Sequence, residues 1–185
     1  MAKPRGLTSS RAFAAVLSGL PPQIAPDCRV LVLGSMPGAA SLSAARYYAH
    51  PRNRFWPMMS RVCGLDANAD YAQRIAALNA CGIGLWDVIG ECERQGSLDS
   101  RIVAATEIAN PLARQLLALK ELRTIAFNGG KAAQAFARHV APDLDVEMRA
   151  RWRMRTLPST SPANAAFDLE RLHAQWRILV EDLRQ

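Results

Sequence analysis

Short apolar runs, each closed by a glycine or a polar cluster, recur along the chain and predict the strands of a sheet. The first, residues 29–34 (RVLVLG), is typical of a parallel strand buried on both faces. Three similar runs follow at 82–89, 124–128 and 153–157. Helical patterns lie between them. This alternation predicts an α/β fold, a three-layer sandwich with a central, mainly parallel four-stranded sheet flanked by helices.

Segments with apolar residues three or four positions apart predict the helices. They are residues 10–17, 54–63, 69–79, 111–119 and 131–139. A last helix has the clearest pattern, with one apolar stripe made of Phe167, Leu172, Trp176, Leu179, Val180 and Leu183. Ser161 and Pro162 suit the N-cap and the first turn of that helix.

The polar and glycine-rich segments of the chain follow the predicted strands. Ligands of open parallel sheets bind at the carboxyl ends of the strands. Four loops therefore meet at one rim of the sheet, namely 35–53, 90–99, the segment from Gly129 onward, and 158–164. We expect the functional site at this rim.

Composition points to a polyanionic partner. The chain has 185 residues, half of them hydrophobic, and a net charge of +7, which predicts one globular domain over residues 1–185 and favours nucleic acid. No apolar run approaches the roughly 20 residues of a membrane span. The first 20 residues lack the apolar core of a signal peptide, so we expect a soluble, cytoplasmic protein. The four cysteines form no CxxC pair, and no metal site is expected.

The loop after the first predicted strand, residues 34–56, carries the densest set of functional side chains. Gly34 and Gly38 bracket a tight turn that Pro37 makes rigid, and its N–H groups could meet a base carbonyl or a phosphate. The loop contains neither GxxxxGK[ST] nor GxGxxG. It therefore predicts neither a nucleotide-hydrolase phosphate loop nor a dinucleotide site.

The motifs GSMPG and YYAHPRNRFW, together with three later segments of the chain, resemble the uracil-DNA glycosylase superfamily. GSMPG followed by YYAHPRNRFW is similar to the mismatch-specific uracil glycosylases and, more closely, to the hypoxanthine-DNA glycosylases, the DNA-deoxyinosine glycosylase branch. The segments GIGLWDVIGECERQGSLDSRI, FNGGKAA and LPSTSPANA agree with that branch in the same order. The resemblance runs from residue 29 to residue 165. It implies an enzyme that flips its target base out of the duplex to reach the N-glycosidic bond.

The resemblance also assigns the base pocket and the catalytic group. The turn residues of the pocket are Gly34, Ser35, Met36, Pro37 and Gly38, and Tyr48 stands where the family places its base-stacking aromatic ring. Many members carry Asp or Asn at the third residue of the turn to position water, whereas the Met36 thioether cannot act as a base. The hypoxanthine branch uses the Asn of HPRN instead, which corresponds to Asn53.

Several of these side chains also have structural interpretations. The residues alone favour Asn53 as the N-cap of the helix that begins near Arg54, whereas the resemblance favours catalysis. His50 either assists the departing base or makes a structural hydrogen bond. Asp87 either accepts the N1–H of hypoxanthine or caps the next turn. Adjacent Tyr47 and Tyr48 face opposite sides of an extended segment, and either could stack on the base.

The remaining candidates are predicted to contact the DNA backbone. Asn128 and Lys131 lie where a strand passes into a helix, whose free N–H groups suit a phosphate. The family's DNA-inserting loop corresponds to 157–164, which offers Ser159, Thr160, Ser161 and Asn164. Arginines at 149, 151, 153 and 155 alternate with less polar residues, so a strand would place four guanidiniums on one face. Arg153 and Arg155 lead directly into the loop. The alternatives are a plain turn, helix capping and a solvated face.

Three hypotheses follow from these observations. The first is an enzyme that removes hypoxanthine from double-stranded DNA without a metal or organic cofactor. It is monofunctional, because no lysine lies at the matched catalytic positions to form a Schiff base. The second is removal of uracil from mismatches, and the third is a catalytically silent module that binds damaged DNA. For the first we expect a monomer that works in the cytoplasm, on the DNA of the nucleoid.

Overall fold

The structure, a computed structural model, describes residues 16–184. Its strands are β1 (Val16–Ser18), β2 (Val30–Gly34), β3 (Ile83–Asp87), β4 (Ile89–Glu93), β5 (Ile108–Ala109), β6 (Thr124–Asn128) and β7 (Arg153–Leu157). Its α-helices are α1 (Ala39–Ala44), α2 (Phe55–Cys63), α3 (Tyr71–Ala80), α4 (Leu112–Ala118), α5 (Gly130–His139), α6 (Val146–Ala150), α7 (Leu169–Trp176) and α8 (Ile178–Arg184).

The central sheet is parallel and has the strand order β3-β2-β6-β7. Val30 of β2 pairs with Ile83 of β3 on one side and with Thr124 of β6 on the other. Every residue of the inner strand β2 and of the edge strand β3 is buried, as expected for a parallel sheet covered on both faces. The four-stranded parallel sheet and the α/β class predicted from the apolar runs are confirmed.

A second, antiparallel sheet has the order β1-β4-β5 and corrects one predicted strand. The run 82–89 was expected to form a single strand, but β3 ends at Asp87 and β4 begins at Ile89. The Ile89 N–H still bonds the Ser35 carbonyl, after which the chain diverges to pair with β1 and β5. Because the apolar residues Val88 and Ile89 directly follow Asp87, the composition of the run does not mark the end of β3.

Most of the predicted helices are present with small changes at their ends, and two predictions need comment. Most of the helix expected over 10–17 lies outside the described residues, and Val16 and Leu17 belong to strand β1 instead. The last helix begins at Leu169 rather than near Ser161, because the Asp168 carboxylate accepts the Arg171 N–H and caps it. It is also divided into α7 and α8.

Helices pack on the central sheet and on one another. Helix α2 contacts α7 and α8, α8 lies against β2, α3 lies against β3, and α5 packs on β6 and β7. Trp176 and Phe55, among the largest fully buried side chains, meet edge to face with ring centroids 6.2 Å apart. Within residues 16–184, none of the helices has the length and apolar character needed to cross a membrane.

Candidate active site

A cavity of about 390 Å³ opens where the loops after β2, β3, β6 and β7 converge. Its wall contains all the predicted base-pocket residues, Gly34, Ser35, Met36, Pro37, Gly38, Tyr48 and Asp87. It also contains Asn53 and His50, and five of the predicted DNA contacts, Asn128, Ser159, Thr160, Ser161 and Asn164. The fold thus brings together residues more than 100 positions apart in the chain, at the edge where parallel sheets bind ligands.

The turn after β2 is held from behind by Arg94, which the sequence did not single out. This arginine is 4% exposed, and its Nη2 donates to the Pro37 carbonyl at 2.5 Å. Its Nε donates to the Gly96 carbonyl at 3.0 Å. The guanidinium therefore ties the GSMPG turn to the loop after β4, which forms another wall of the cavity.

Gly34 is required by the close approach of Asp87. A Cβ added at Gly34 would lie 2.2 Å from Asp87 Oδ1 and 3.6 Å from the Tyr48 hydroxyl. No side chain fits in this space, so the end of β2 and the carboxyl at the end of β3 touch directly. Both this carboxyl and the Tyr48 hydroxyl therefore converge on one backbone position in the cavity wall.

Asp87 is the most perturbed acid of the site. It is 4% exposed, and its Oδ2 finds no hydrogen-bond partner within the described range. Burial raises its pKa to about 8; the nearby Asp99 carboxylate adds to this rise, and the Arg94 guanidinium opposes it. Asn110 Nδ2 donates to the Asp87 backbone carbonyl at 2.8 Å, which fixes the backbone and leaves the carboxyl free.

The segment after β4 supplies another wall of the cavity through side chains that the sequence did not single out. Ser35 Oγ donates to Asp99 Oδ1 at 2.7 Å, and the Ala39 N–H donates to Ser97 Oγ at 3.0 Å. Leu98, between these two contacts, is exposed and lines the cavity. These bonds join the segment to the first loop, more than 50 positions away in the chain. Local sequence patterns do not predict such a contact.

The two adjacent tyrosines have different surroundings. The Tyr47 hydroxyl donates to the Leu20 carbonyl at 3.1 Å, and the side chain is buried. Tyr48 has a φ of 54° and stacks on Phe55 with ring centroids 3.9 Å apart. Its buried hydroxyl has no partner among residues 16–184. The left-handed backbone of Tyr48 is uncommon outside glycine, and it turns the ring out of the extended path assumed from the sequence.

The N-cap of α2 is Arg54 rather than Asn53, so the predicted capping position is one residue too early. The catalytic role of Asn53 stays a prediction. Asn53 Oδ1 accepts the Phe55 N–H at 3.0 Å, which satisfies one free donor at the start of α2. The residue also lines the cavity. Because this hydrogen bond uses only the amide oxygen, the Nδ2 donors stay available to a ligand.

His50 lies beside Asn53 in the same short loop. The Asn53 N–H donates to the His50 carbonyl at 2.8 Å, and His50 Nδ1 accepts the Arg52 N–H at 3.1 Å. A neutral imidazole that accepts at Nδ1 carries its proton on Nε2. The ring can therefore donate from Nε2 toward the cavity that it lines.

Arg54 organises the last loop and was not predicted to do so. Its guanidinium donates to the Asn164 carbonyl at 3.1 Å and also to the carbonyls of Ser161 and Phe167. Its backbone N–H donates to the Thr160 carbonyl at 3.1 Å. The loop is wrapped around one arginine that directly follows Asn53, which couples the position of the loop to that of the amide.

The floor of the last loop is fixed by a reciprocal pair. Asn128 Nδ2 donates to Thr160 Oγ1 and the Thr160 N–H donates to Asn128 Oδ1, both at 2.9 Å. Gly129, at φ 105°, lets the loop approach, because an added Cβ would lie 3.0 Å from Ser159 Cβ. Asn128 and Thr160 therefore hold the loop, while Ser159, Ser161 and Asn164 stand along its rim.

Three predicted DNA contacts lie outside the cavity wall. The Lys131 ammonium pairs with Glu107, whose side chain is fully buried and also meets His139 Nε2 at 2.7 Å. Arg155 forms a two-pronged pair with the buried Asp182, at 3.0 and 3.2 Å, and Arg153 approaches the same carboxylate at 3.6 Å.

The expected strand with four aligned arginines is also wrong. Arg149 lies in α6, and Arg151 follows that helix as its C-cap. Only the arginines at 153 and 155 belong to β7. Asp145 caps α6 through its carboxylate and places the first two arginines on a helical turn.

Comparison with known proteins matches this arrangement to one family. The sequence model of the uracil DNA glycosylase superfamily matches residues 21–184. A hypoxanthine DNA glycosylase from Methanosarcina barkeri is 36% identical over 121 residues, which are 63% of this chain and 73% of that protein. Its counterpart from Methanosarcina acetivorans is 31% identical over 160 residues, 85% of this chain and 94% of that protein.

A solved structure has the same fold. It is the solution NMR structure of a candidate uracil DNA glycosylase from Methanosarcina acetivorans, with a TM-score of 0.76 and 30% sequence identity. The similarity covers 92% of this chain and all of the other.

Proposed function

Because this chain belongs to the uracil DNA glycosylase superfamily, we propose that it hydrolyses the N-glycosidic bond of deoxyinosine in DNA, releasing hypoxanthine and leaving an abasic site. The observation that carries the proposal is the single cavity that gathers the GSMPG turn, Tyr48, Asn53 and the loop 158–164. Both curated relatives bear the name of a hypoxanthine enzyme. For this chain, the identity of the base that is removed is our inference.

The cavity suits a flipped base. Its volume of about 390 Å³ lies within the range of small-ligand sites. Tyr48, braced from one side by Phe55, is the ring we assign to stacking on the base, since the Tyr47 hydroxyl is bonded away from the cavity to a backbone carbonyl. Asp87 contacts the edge of the base. The pocket thus combines an aromatic face with one buried polar group that can select among bases.

Catalysis falls to positioning and electrostatics. Met36 offers a thioether where many relatives have a carboxylate or an amide, so the turn supplies no base for water. In our proposal, Asn53 orients the attacking water against a sugar whose charge becomes positive in the transition state. His50 Nε2–H donates to the departing base or to an adjacent phosphate. The hydrogen bond between Asn53 Oδ1 and the Phe55 N–H keeps the amide in place.

The DNA backbone is gripped by the last loop. Ser159 Oγ accepts the Ser161 N–H at 3.2 Å and Ser161 Oγ accepts the Ala163 N–H at 3.3 Å, so each hydroxyl proton is left for a phosphate oxygen. Asn164 joins them at the rim, while Asn128 and Thr160 hold the loop in position. Contacts from Lys131, Arg153 and Arg155 stay predictions, because each of these side chains already pairs with a buried acid.

We also infer the setting in which the enzyme works. Its substrate is double-stranded DNA with a deaminated base, it acts as a monomer with no metal or organic cofactor, and it works on the DNA of the nucleoid. One domain over the whole chain carries the site.

A glycosylase assay tests the proposal. Duplexes that contain deoxyinosine, deoxyuridine or deoxyxanthosine are incubated with the protein, and abasic sites are then cleaved with alkali. We expect cleavage mainly at deoxyinosine. Cleavage mainly at deoxyuridine would instead select mismatch uracil removal. Binding to damaged duplex without any cleavage would identify a silent binding module and overturn the proposal.

A further inference from the structure

Asp87 carries two unusual features at the floor of the cavity. Only 4% of its surface is exposed to solvent, and its Oδ2 has no hydrogen-bond partner within residues 16–184. The carboxyl lies against the backbone of Gly34, where no Cβ fits. It also lines the cavity. A buried, unpartnered polar atom of this kind indicates that its partner comes with the ligand.

The groups that face Asp87 do not neutralise a charge on it. Asp99, on the loop after β4, is a second carboxylate and carries the same negative charge. The hydroxyls of Tyr47 and Tyr48 are uncharged. Arg94 is the nearby cation and opposes the rise in the pKa of Asp87; its Nε and Nη2 are engaged by backbone carbonyls, and its buried Nη1 makes no hydrogen bond within the described residues. Among the described residues no cation comes within ion-pair distance of the Asp87 carboxyl, because none of the ion pairs includes it.

A carboxyl in this setting keeps its proton. Burial without a paired cation disfavours the anion, and a second carboxylate nearby disfavours it further. Both effects raise the pKa of Asp87, to about 8. In neutral solution most molecules therefore hold Asp87 as a neutral acid, which donates a hydrogen bond rather than accepting one.

We propose, resting on the function proposed above, that Asp87 is the general acid of the reaction and delivers its Oδ2 proton to N7 of the flipped hypoxanthine. The sugar must stay at the mouth of the cavity, joined to the DNA, so one edge of the base turns toward the floor. The edge remote from the sugar pairs O6 with the N1–H donor, whereas the edge that carries O6 and N7 presents two acceptors. A protonated carboxyl on the floor complements them, whereas a carboxylate would repel both.

The proton balance of this step is simple. The bond between C1′ and N9 breaks, its electron pair stays on the base, and the Asp87 proton passes to N7, so hypoxanthine leaves as a neutral tautomer. Water adds to C1′ and loses one proton to solvent. The Asp87 carboxylate then regains a proton from solvent. Because the base departs uncharged, the reaction does not depend on the histidine that many relatives use to stabilise an anionic base, which this chain lacks near Ser159.

The first test is the pH profile of single-turnover excision of deoxyinosine. In the wild-type protein we expect the rate to fall about tenfold per pH unit above the pKa of Asp87, since only the protonated form is active. Asp87→Asn keeps the size and an N–H donor but has no proton to transfer, so its rate should be roughly 100-fold lower and independent of pH. If the alkaline fall persists in Asp87→Asn, it belongs to the substrate or to another residue and the proposal is wrong.

Asp99→Asn provides a matched control. It removes the like charge beside Asp87 while conserving shape and the acceptor for Ser35 Oγ. Because a neighbouring carboxylate raises the pKa of Asp87, the alkaline limb should move to lower pH and keep its slope. If the excision rate of Asp99→Asn falls at the same pH as in the wild type, the titration of Asp87 does not cause the fall.

The second test leaves the protein unchanged and alters the substrate. In 7-deaza-2′-deoxyinosine, C–H replaces N7 while O6 and N1–H remain. The wild-type rate should fall by a factor similar to that caused by Asp87→Asn, and the variant should lose nothing further on this substrate. Equal wild-type rates on the two substrates would overturn the proposal. Failure to excise deoxyinosine at all would instead reject the proposed function, so the two failures are distinguishable.

Discussion

Asn53 has a structural role and is also the residue proposed for catalysis. Its oxygen accepts the first N–H of α2 and its Nδ2 stays available at the cavity. A substitution that lowers activity is therefore ambiguous unless this hydrogen bond is preserved. Asn53→Ala removes both functions, while Asn53→Asp keeps the acceptor for the Phe55 N–H.

The two variants should separate these roles. We expect Asn53→Ala to lose about 1 kcal/mol of unfolding free energy and at least 100-fold in single-turnover excision, whereas Asn53→Asp retains stability and an intermediate rate. Urea unfolding and excision of deoxyinosine, measured side by side, provide the check. Full activity in Asn53→Ala would remove Asn53 from the catalytic machinery.

Asp87 should also make the stability of the protein depend on pH. Its pKa is about 8 in the folded protein against an ordinary value of 3.8, so the folded state binds the proton more tightly. The contribution of Asp87 to stability is therefore full below the unfolded pKa and is lost as the pH rises to 8, at about 1.4 kcal/mol per pH unit at most. Asp87→Asn should flatten this loss and be more stable than wild type at pH 8, though less active. The check is urea unfolding of both proteins at pH 5 and pH 8. If the unfolding free energy changes equally in the two proteins between these pH values, the prediction is wrong.

At the same scale, the sequence identified many of the residues that line the cavity, but neither the segment after β4 nor the arginines that hold the loops together. Tyr48, Asn53 and Asp87 lie in short motifs beside strand ends, so a resemblance locates them. Arg54 and Arg94 act on carbonyls far along the chain, reached through long side chains, and no local spacing encodes such a contact. Their roles become visible only when the loops are assembled.

Among the elements, the last loop and the helix after it depart most from expectation. The apolar stripe of the helix was correctly recognised, since Leu172, Trp176 and Leu179 are fully buried. Its start was not, because Ser161 and Pro162 have the chemistry of a helix start while their loop is wound around Arg54. Capping chemistry by itself does not distinguish a helix from a loop bonded to a distant side chain.

This winding makes the loop sensitive to Arg54. Lysine keeps the charge but not the planar fork of donors, so Arg54→Lys can serve only part of the carbonyl set. We expect faster amide hydrogen exchange at 159–168 and roughly 10- to 100-fold slower excision from duplex DNA. Arg61→Ala is the matched control on α2, since it removes only an exposed pair with Glu170. Unchanged amide hydrogen exchange in Arg54→Lys would show that the loop keeps its structure without the planar guanidinium of Arg54.

For the whole molecule, the net charge of +7 favoured a nucleic-acid partner, but it does not locate the DNA surface. Arg155 illustrates the difference, since it extends the basic run before the last loop and also neutralises Asp182, which is 1% exposed. A mutation of Arg155 alone would confuse DNA affinity with folding. The uncharged pair Arg155→Gln with Asp182→Asn removes the ion pair without leaving a buried charge.

We expect Arg155→Gln alone to lower the unfolding free energy by roughly 1–3 kcal/mol. This loss is smaller than the loss of a fully buried ion pair would be, because Arg155 is partly exposed and Arg153 still faces Asp182. The double variant should recover most of that loss. Its DNA affinity is then measured from low to moderate salt. A phosphate contact by Arg155 reduces the slope of log K against log salt by about 0.9, and an unchanged slope would confine Arg155 to stabilising the fold. If Arg155→Gln alone is as stable as wild type, the pair with Asp182 contributes nothing, and the basic run before the last loop regains its interpretation as a DNA surface.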